Sequence, residues 1–140
     1  GSDVNYDRYS WITTFSLNNC SQNNGLLEGQ VRQEVIEGVI TSNMHHDSWT
    51  GFFPATLGVR TRDDLLIFEV WDYSVSFEEF KAFAKEGDSI KIIAYKVYGN
   101  GQWNYADSRY KPKKPTPKTD IDIPLKDVIE VGSIKNPFYN

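Results

Sequence analysis

One stretch, from Asp63 to Tyr110, constrains the fold more than any other part of the sequence. It opens with an almost continuously apolar run, Leu65 to Trp71, which is typical of a strand covered on both faces. Ser76 and Glu79 then have the spacing of a capping box, in which each side chain binds the other residue's free backbone amide. A second apolar run, Ser89 to Tyr98, predicts another strand. The stretch therefore predicts strand, capped helix and strand in that order.

The predicted helix and the turn after the second strand carry further local signals. Gly87 is a plausible end of the helix, because glycine readily adopts the left-handed conformation of a helix stop. Gly99-Asn100-Gly101 predicts a tight hairpin, since all three residues accept positive φ. The return strand, Gln102 to Tyr110, has mixed faces, as expected near an edge or a binding surface. One face of the helix is apolar and consists of Phe77, Phe80, Phe83 and Ala84.

Two more strands are predicted before this stretch. Glu34 to Thr41 has apolar residues on both faces, and Gly38 within it suits a bulge or a sharply coiled bend. Thr56 to Thr61 follows, with Leu57, Val59 and Thr61 on one face and Gly58 and Arg60 on the other. The intervening segment, Ser42 to Ala55, is expected to be a long and unusually aromatic loop.

The flanking segments are predicted to be extensions of one domain. Residues 1–30 are polar with scattered aromatic residues that fit either a helix or an extended segment, and Gly1-Ser2 is typical of a cloning scar, which leaves open a removed upstream signal or domain. Residues 111–119 form a basic, proline-rich linker or arm. Residues 120–140 are expected to pack on the domain or trail from it, with a short strand or helical turn between Leu125 and Val131.

Composition limits the classes of function. At 140 residues the chain fits one domain, and 39% hydrophobic with 14% aromatic residues is typical of a folded one. A formal charge of −4 argues against a surface that binds polyanions everywhere, but it permits a local basic patch. The single cysteine, Cys20, excludes an internal disulfide and a cysteine-based zinc site. The chain is expected to be soluble, because no apolar run is long enough to cross a bilayer.

Catalysis and metal binding are not predicted. His45 and His46 are adjacent in an extended segment, so their side chains point in opposite directions and suit a shared metal poorly. The acidic pairs Asp63-Asp64 and Glu78-Glu79 are explained by turn chemistry and by the helix dipole. No nucleophile motif or phosphate-binding glycine loop occurs. We therefore expect a protein that is not an enzyme and that needs no cofactor or metal.

The order of elements over residues 31–110 resembles the oligonucleotide/oligosaccharide-binding (OB) fold. The helix followed by Glu86-Gly87-Asp88-Ser89 is similar to the family's recurrent Gly-Asp entry into its fourth strand. The resemblance implies a mainly β, five-stranded Greek-key barrel with one helix between strands 3 and 4. It also implies a ligand across the second and third strands, between the loops at residues 42–55 and 99–101.

Carried onto this sequence, the resemblance implies aromatic ligand-binding residues together with Arg60 and Arg62, and the basic proline-rich segment adds three lysines as an arm to phosphates. Stacking on aromatic rings is tolerant of base sequence and contributes about 1 to 3 kcal/mol per base. Large apolar side chains are usually packed, so core packing is the competing explanation for Phe52, Phe53 and Trp103, and a solvated linker is that for the lysines. The candidates are Trp49, Phe52, Phe53, Arg60, Arg62, Tyr98, Trp103, Tyr105, Lys111, Lys113 and Lys114.

The favoured expectation is a non-catalytic binding domain for single-stranded DNA or RNA. The alternative is a protein-interaction or accessory domain of a larger or exported assembly, which the acidic balance favours. An oligosaccharide or small-molecule binder is a weaker third hypothesis, because a fold alone does not determine a ligand. Nothing in the sequence indicates a compartment.

Overall fold

Strands dominate the regular structure in the computed structural model, which describes residues 25–46, 53–108 and 114–139. These ranges contain one α-helix, and a short 3-10 helix, Leu125–Asp127, joins two of the strands. In chain order the elements are β1 (Val31–His45), β2 (Phe53–Arg60), β3 (Leu65–Asp72), α1 (Phe77–Phe83), β4 (Ser89–Gly99), β5 (Gln102–Ala106), β6 (Ile121–Pro124), β7 (Val128–Val131) and β8 (Ile134–Lys135).

The strands form one open, mixed sheet. Their order is β6-β3-β2-β1-β4-β7-β8, and β5 pairs with the end of β4 that β7 leaves free. Every pairing is antiparallel except that of β3 with β6, which is parallel. The prediction of a mainly β fold with one helix is confirmed. The described residues contain eight strands, whereas the resemblance implies five.

β1 is shared between two sets of neighbours. Residues 31–39 pair with β4, and residues 39–45 pair with β2, with a register shift between Ile40 and Ser42. Where the partners change, a Cβ on Gly38 would lie 2.5 Å from the carbonyl oxygen of Arg60, closer than real atoms allow. Gly38 therefore permits a close approach of β2 to β1, and the bulge predicted there lies a few residues further on.

The core lies on one side of this sheet, which we call the inner side. Alternate residues of the long strands point inward, as the two-residue period of a strand requires. Phe80 of the helix and Ala84, the residue that follows it, close over them, and both are fully buried. The other large, fully buried side chains are Ile40, Leu57, Val59, Leu66, Phe68, Val70, Ile90, Ile92, Ile121, Ile123 and Leu125.

The helix begins as predicted but ends early. Ser76 Oγ accepts from the Glu79 amide at 3.1 Å, and Glu79 Oε1 accepts from the Ser76 amide at 3.0 Å, so the capping box is confirmed. The predicted stop at Gly87 is wrong, because the helix ends at Phe83. Gly87, with φ of +92°, instead forms part of the turn into β4, where its amide donates to the Ile40 carbonyl at 2.8 Å.

Two predicted boundaries are also wrong. Both ends of the loop predicted from Ser42 to Ala55 are strand, since β1 runs to His45 and β2 starts at Phe53. The register shift after Ile40 turns Asn43 inward, where its buried amide donates to the Ala84 carbonyl at 2.9 Å, so a polar residue occupies a core position. The return strand predicted to reach Tyr110 ends at Ala106.

The C-terminal residues belong to the same sheet and core. β6 lies beside β3 in parallel, and Ile121, Ile123, Leu125, Val128 and Val131 are all buried in the core. Asn136 holds the last turn through its amide, which donates to the carbonyl of Leu125 at 3.1 Å and to that of Val128 at 2.8 Å. Tyr139 then donates its hydroxyl hydrogen to the buried Asp72 carboxylate at the end of β3.

Gly38→Ala tests the close approach of β1 and β2. A methyl group there must displace the Arg60 backbone, so we expect the free energy of unfolding to fall by about 1 to 3 kcal/mol. Urea denaturation measures the change. Gly99→Ala is the matched control, because a Cβ at Gly99 would make only ordinary contacts at 3.6 Å or more. Equal stabilities of the two variants would contradict the close approach.

Tyr139→Phe tests the contact with Asp72. We expect the variant to be less stable by about 1 kcal/mol, the usual net value of one such hydrogen bond. The Asp72 hydrogen bond, followed by burial, raises the pKa of Tyr139 above its ordinary value of 10.0. The stabilisation is therefore complete below that ordinary pKa and is lost as pH rises through the raised one.

Urea denaturation at neutral and alkaline pH compares the two proteins. Tyr73→Phe is the control, because Tyr73 is 77% exposed and keeps its ring in that variant. A difference between wild type and Tyr139→Phe that is unchanged at alkaline pH would contradict the assignment to the hydroxyl.

Candidate ligand-binding site

The inner side of the sheet changes character towards the β4–β5 hairpin. Ile90, Ile92 and Ala94 of β4 are buried in the core, but the next two inward positions are Lys96 and Tyr98. The same change occurs on β1, where the inward positions before Ile36 are charged. We name six inward-facing residues at this end the hairpin cluster: Arg32, Glu34, Lys96, Tyr98, Trp103 and Tyr105.

A tight turn fixes the register of the hairpin cluster. Asn100 and Gly101 both have positive φ, 55° and 78°, and form the two-residue connection that the sequence predicts. This turn sets Tyr98 opposite Trp103 and Lys96 opposite Tyr105. The segment before β1 is fastened to the same strand, because Tyr98 exchanges backbone hydrogen bonds of 2.8 Å with Gly29 and Gln30. That contact places Arg32 opposite Lys96.

Two cations of the cluster each lie over an aromatic ring. The Arg32 guanidinium carbon is 4.3 Å from the centre of the Trp103 ring, and Lys96 Nζ is 4.6 Å from the centre of the Tyr105 ring. The Tyr98 ring meets Trp103 edge to face, with centres 5.4 Å apart and planes at 69°. Such cation–π pairs contribute roughly 0.5 to 2 kcal/mol each and orient the charged groups.

One carboxylate joins the two cations. Glu34 Oε2 lies 2.5 Å from Arg32 Nη2, and Glu34 Oε1 lies 3.2 Å from Lys96 Nζ. The side chains of Arg32, Glu34 and Lys96 are 45%, 26% and 19% exposed, so all three remain accessible from solvent. With two cations and one anion, these three side chains leave an excess of positive charge beside the two half-buried rings of Tyr98 and Trp103.

Tyr105 is the innermost member of the hairpin cluster. It is only 8% exposed and packs with the hydrophobic core. Burial, followed by the negative charges of Asp64, Glu34 and Asp63, raises the pKa of Tyr105 to about 12. The Tyr105 hydroxyl therefore stays protonated at neutral pH, and the Tyr105 ring contacts the Lys96 ammonium group.

The structure does not bring the predicted arginines into this cluster. Arg60 ends β2, where Leu57 and Val59 point into the core, so Arg60 continues the two-residue alternation on the outer side. Arg62 is exposed in the turn between β2 and β3. Tyr98, Trp103 and Tyr105 share the inner side, so the structure separates these three aromatic candidates from the predicted Arg60.

The outer side of β2, β3 and β6 is acidic where the resemblance implies a ligand. Glu69 of β3 is the register partner of both Thr56 on β2 and Asp122 on β6. Thr56 Oγ1 lies 3.4 Å from Glu69 Oε2. Two carboxylates on neighbouring strands repel a phosphate backbone, so this part of the sheet is a poor path for a polyanion.

Several predicted site residues cannot be placed. Trp49, Phe52, Lys111 and Lys113 lie outside the described residues, as does the side chain of Phe53, whereas Lys114 is exposed. Sequence reasoning missed Arg32, Glu34 and Lys96. Lys96 interrupts an otherwise apolar inward face of β4, which was a usable signal, but Arg32 lay before the predicted start of its strand.

The structure offers little elsewhere for a ligand. Within residues 25–46, 53–108 and 114–139, no three histidine, cysteine or carboxylate side chains are grouped to hold a metal. A groove of about 280 Å³ lies between β1, β4 and β7, lined in part by Glu37, Lys91 and Glu130. In the described part of the chain, no helix has the length and apolar character needed to span a membrane.

A spectrophotometric titration tests the placement of Tyr105. We expect one tyrosine of the folded protein to ionise near pH 12, well above the ordinary value of 10.0. This late step should disappear in Tyr105→Phe and persist in Tyr73→Phe, since Tyr73 is exposed. Ionisation of every tyrosine near the ordinary value, in a protein still folded by circular dichroism, would contradict the burial of Tyr105.

No family model matches this chain, and neither does any curated protein or solved structure. No relative's activity therefore bears on what the hairpin cluster binds.

Proposed function

We propose that this protein is a non-catalytic, OB-like binding domain that holds single-stranded nucleic acid at the hairpin cluster. The observation that carries the proposal is the half-buried Tyr98–Trp103 pair with Arg32 over the indole ring and Lys96 on the same side of the sheet. Aromatic faces and basic side chains together are the groups that bind bases and phosphates without reading sequence.

The strand pairings support an OB-like topology. β1 pairs with both β2 and β4, and α1 connects β3 to β4, as in a five-stranded Greek-key barrel. The end of β5 also reaches β6, because the Ser108 amide donates to the Asp122 carbonyl at 3.1 Å and Asp107 Oδ1 accepts from the Asp122 amide at 2.8 Å. In this proposal, β5 and β6 share the role of the family's fifth strand, separated by an insertion.

The charge distribution favours the hairpin end over the outer side of β2 and β3. Glu69 and Asp122 make the outer side unfavourable for phosphates. At the hairpin end, the two positive charges of Arg32 and Lys96 outnumber the one carboxylate that pairs with them. Lys118, in the basic segment, contributes less positive charge for a ligand than the sequence suggests, because its Nζ is paired with an Asp64 carboxylate oxygen at 2.8 Å. The proposed ligand therefore lies against the hairpin, with a base on the Tyr98–Trp103 pair and phosphates near Arg32 and Lys96.

A second candidate function is protein binding on the outer side of β1. Val35 and Val39 are 55% and 45% exposed there, and the half-buried Ile93 of β4 is the register partner of Val35. Exposed apolar residues on neighbouring strands suit a protein partner better than a polyanion. This surface is on the opposite side of β1 from the hairpin cluster, so the two functions can be tested separately.

The anisotropy of a fluorescein-labelled oligothymidylate tests the nucleic-acid proposal. We expect saturable binding that weakens with salt, with a slope of log affinity against log salt concentration of about −1.4 to −2 for two or three phosphate contacts. Trp103→Ala should weaken binding by about 5- to 150-fold, which corresponds to the 1 to 3 kcal/mol usual for one stacked base. Tyr73→Ala, an exposed aromatic outside the cluster, should bind as wild type.

The outcomes distinguish the two candidates. No rise in anisotropy at low salt, with the protein folded by circular dichroism, would rule out nucleic-acid binding. Equal weakening by Trp103→Ala and Tyr73→Ala would rule out the hairpin cluster as its site. If Val35→Lys abolishes capture of a protein partner that Trp103→Ala still captures, the outer side of β1 is the functional surface.

A further inference from the structure

Glu34 is the only acidic residue of the hairpin cluster, and it lies between the two cations. Each of its carboxylate oxygens contacts a different cation, Oε2 with Arg32 and Oε1 with Lys96. Each cation in turn lies over its own ring, that of Trp103 or Tyr105. The result is an anion held between two ring-supported cations, with the rings fixed by the β4–β5 register.

This arrangement matches the chemistry of a phosphodiester. A phosphate carries separate oxygens that accept from different donors, and guanidinium and ammonium groups bind phosphates and carboxylates by the same charge-assisted hydrogen bonds. The donors here are oriented before any ligand arrives, because packing against the rings restricts both long side chains. A phosphate at the Glu34 carboxylate would lie next to the Tyr98–Trp103 pair on which the proposed base stacks.

The burial of Lys96 explains why an anion must remain there. Its side chain is only 19% exposed, and a partly shielded cation is less stable without a partner than with one. Arg32, at 45% exposed, is better solvated and can move away more easily. A ligand that displaces Glu34 must therefore supply its own negative charge to Lys96, which an uncharged ligand cannot do.

We propose that the Glu34 carboxylate occupies an anion subsite for a phosphate of the ligand and so acts as an internal competitor for binding. This inference rests on the proposed nucleic-acid function and identifies Glu34 as a residue that lowers the affinity for nucleic acid. Glu34 then selects for polyanionic ligands, because only a ligand with its own phosphates can replace the carboxylate. It also pairs with both cations of the unliganded cluster and so keeps their side chains ordered.

Glu34→Gln tests the inference, because the amide keeps the shape of the side chain and removes its charge. We expect Glu34→Gln to bind labelled oligothymidylate about tenfold more tightly than wild type, in keeping with two partly exposed ion pairs of modest strength. Adding Arg32→Gln to this variant should cancel the gain. Glu37→Gln is the matched control, because it removes the same charge from the opposite side of the same strand.

The full comparison is made by anisotropy at one low salt concentration, with thermal unfolding recorded for each variant. Wild-type binding that becomes tighter in Glu34→Gln, with no such gain in Glu37→Gln, supports the inference. If wild type binds and Glu34→Gln binds equally or more weakly, the inference is wrong while the proposed function stands.

Two further outcomes also overturn the inference. An equal gain in Glu34→Gln and Glu37→Gln would show a general effect of net charge and no subsite at Glu34. If neither wild type nor folded Glu34→Gln binds, both the inference and the nucleic-acid function are wrong. Should Glu34→Gln fail to fold, Glu34→Asp replaces it, because the shorter carboxylate cannot contact both cations. The Glu34→Asp protein should also bind the oligonucleotide more tightly than wild type.

Discussion

The structure depends on the sharing of β1 between two partners, which Gly38 makes possible. The backbone of β2 comes so close at this residue that any side chain would collide with the Arg60 carbonyl. The strand pairs with β4 as far as Val39 and with β2 from Val39 onward, so a single strand lines the core from Ile36 to Ile40. Its first residues then extend past the core, which places Arg32 beside the β4–β5 hairpin and so creates the hairpin cluster.

The charged side chains behind the net charge of −4 are unevenly distributed over the two sides of the sheet. Neighbouring carboxylates, Glu69 and Asp122, lie on the outer side of β3 and β6. Two cations with one carboxylate between them lie on the inner side at the hairpin, next to the aromatic pair. In the described residues, an acidic protein therefore has a local excess of positive charge among Arg32, Glu34 and Lys96, beside an aromatic pair.

Local signals in the sequence predicted local structure well. The Ser76–Glu79 capping box, the Gly99–Gly101 hairpin and the apolar strands β3 and β4 follow from neighbouring residues, and the structure contains all of them. The parallel pairing of β6 with β3 was not predictable, because it joins residues about fifty positions apart with no local pattern. The ends of β1 were missed since charged residues and Asn43 interrupt its apolar pattern while the backbone continues as strand.

The candidate site was predicted only in part, for a related reason. Tyr98 and Trp103 were predicted because they flank the hairpin loop that the resemblance implies as a binding loop, but Arg32 and Glu34 join them only through the register of β1 with β4. The alternation within β2 already separated Arg60 from the core side, so its inclusion with the aromatic residues came from the resemblance.

Backbone and indole NMR shifts on adding oligothymidylate test the account most directly. We expect chemical-shift changes at Arg32, Lys96 and the Trp103 indole. Changes confined to Glu69, Thr56 and Asp122 would contradict the account.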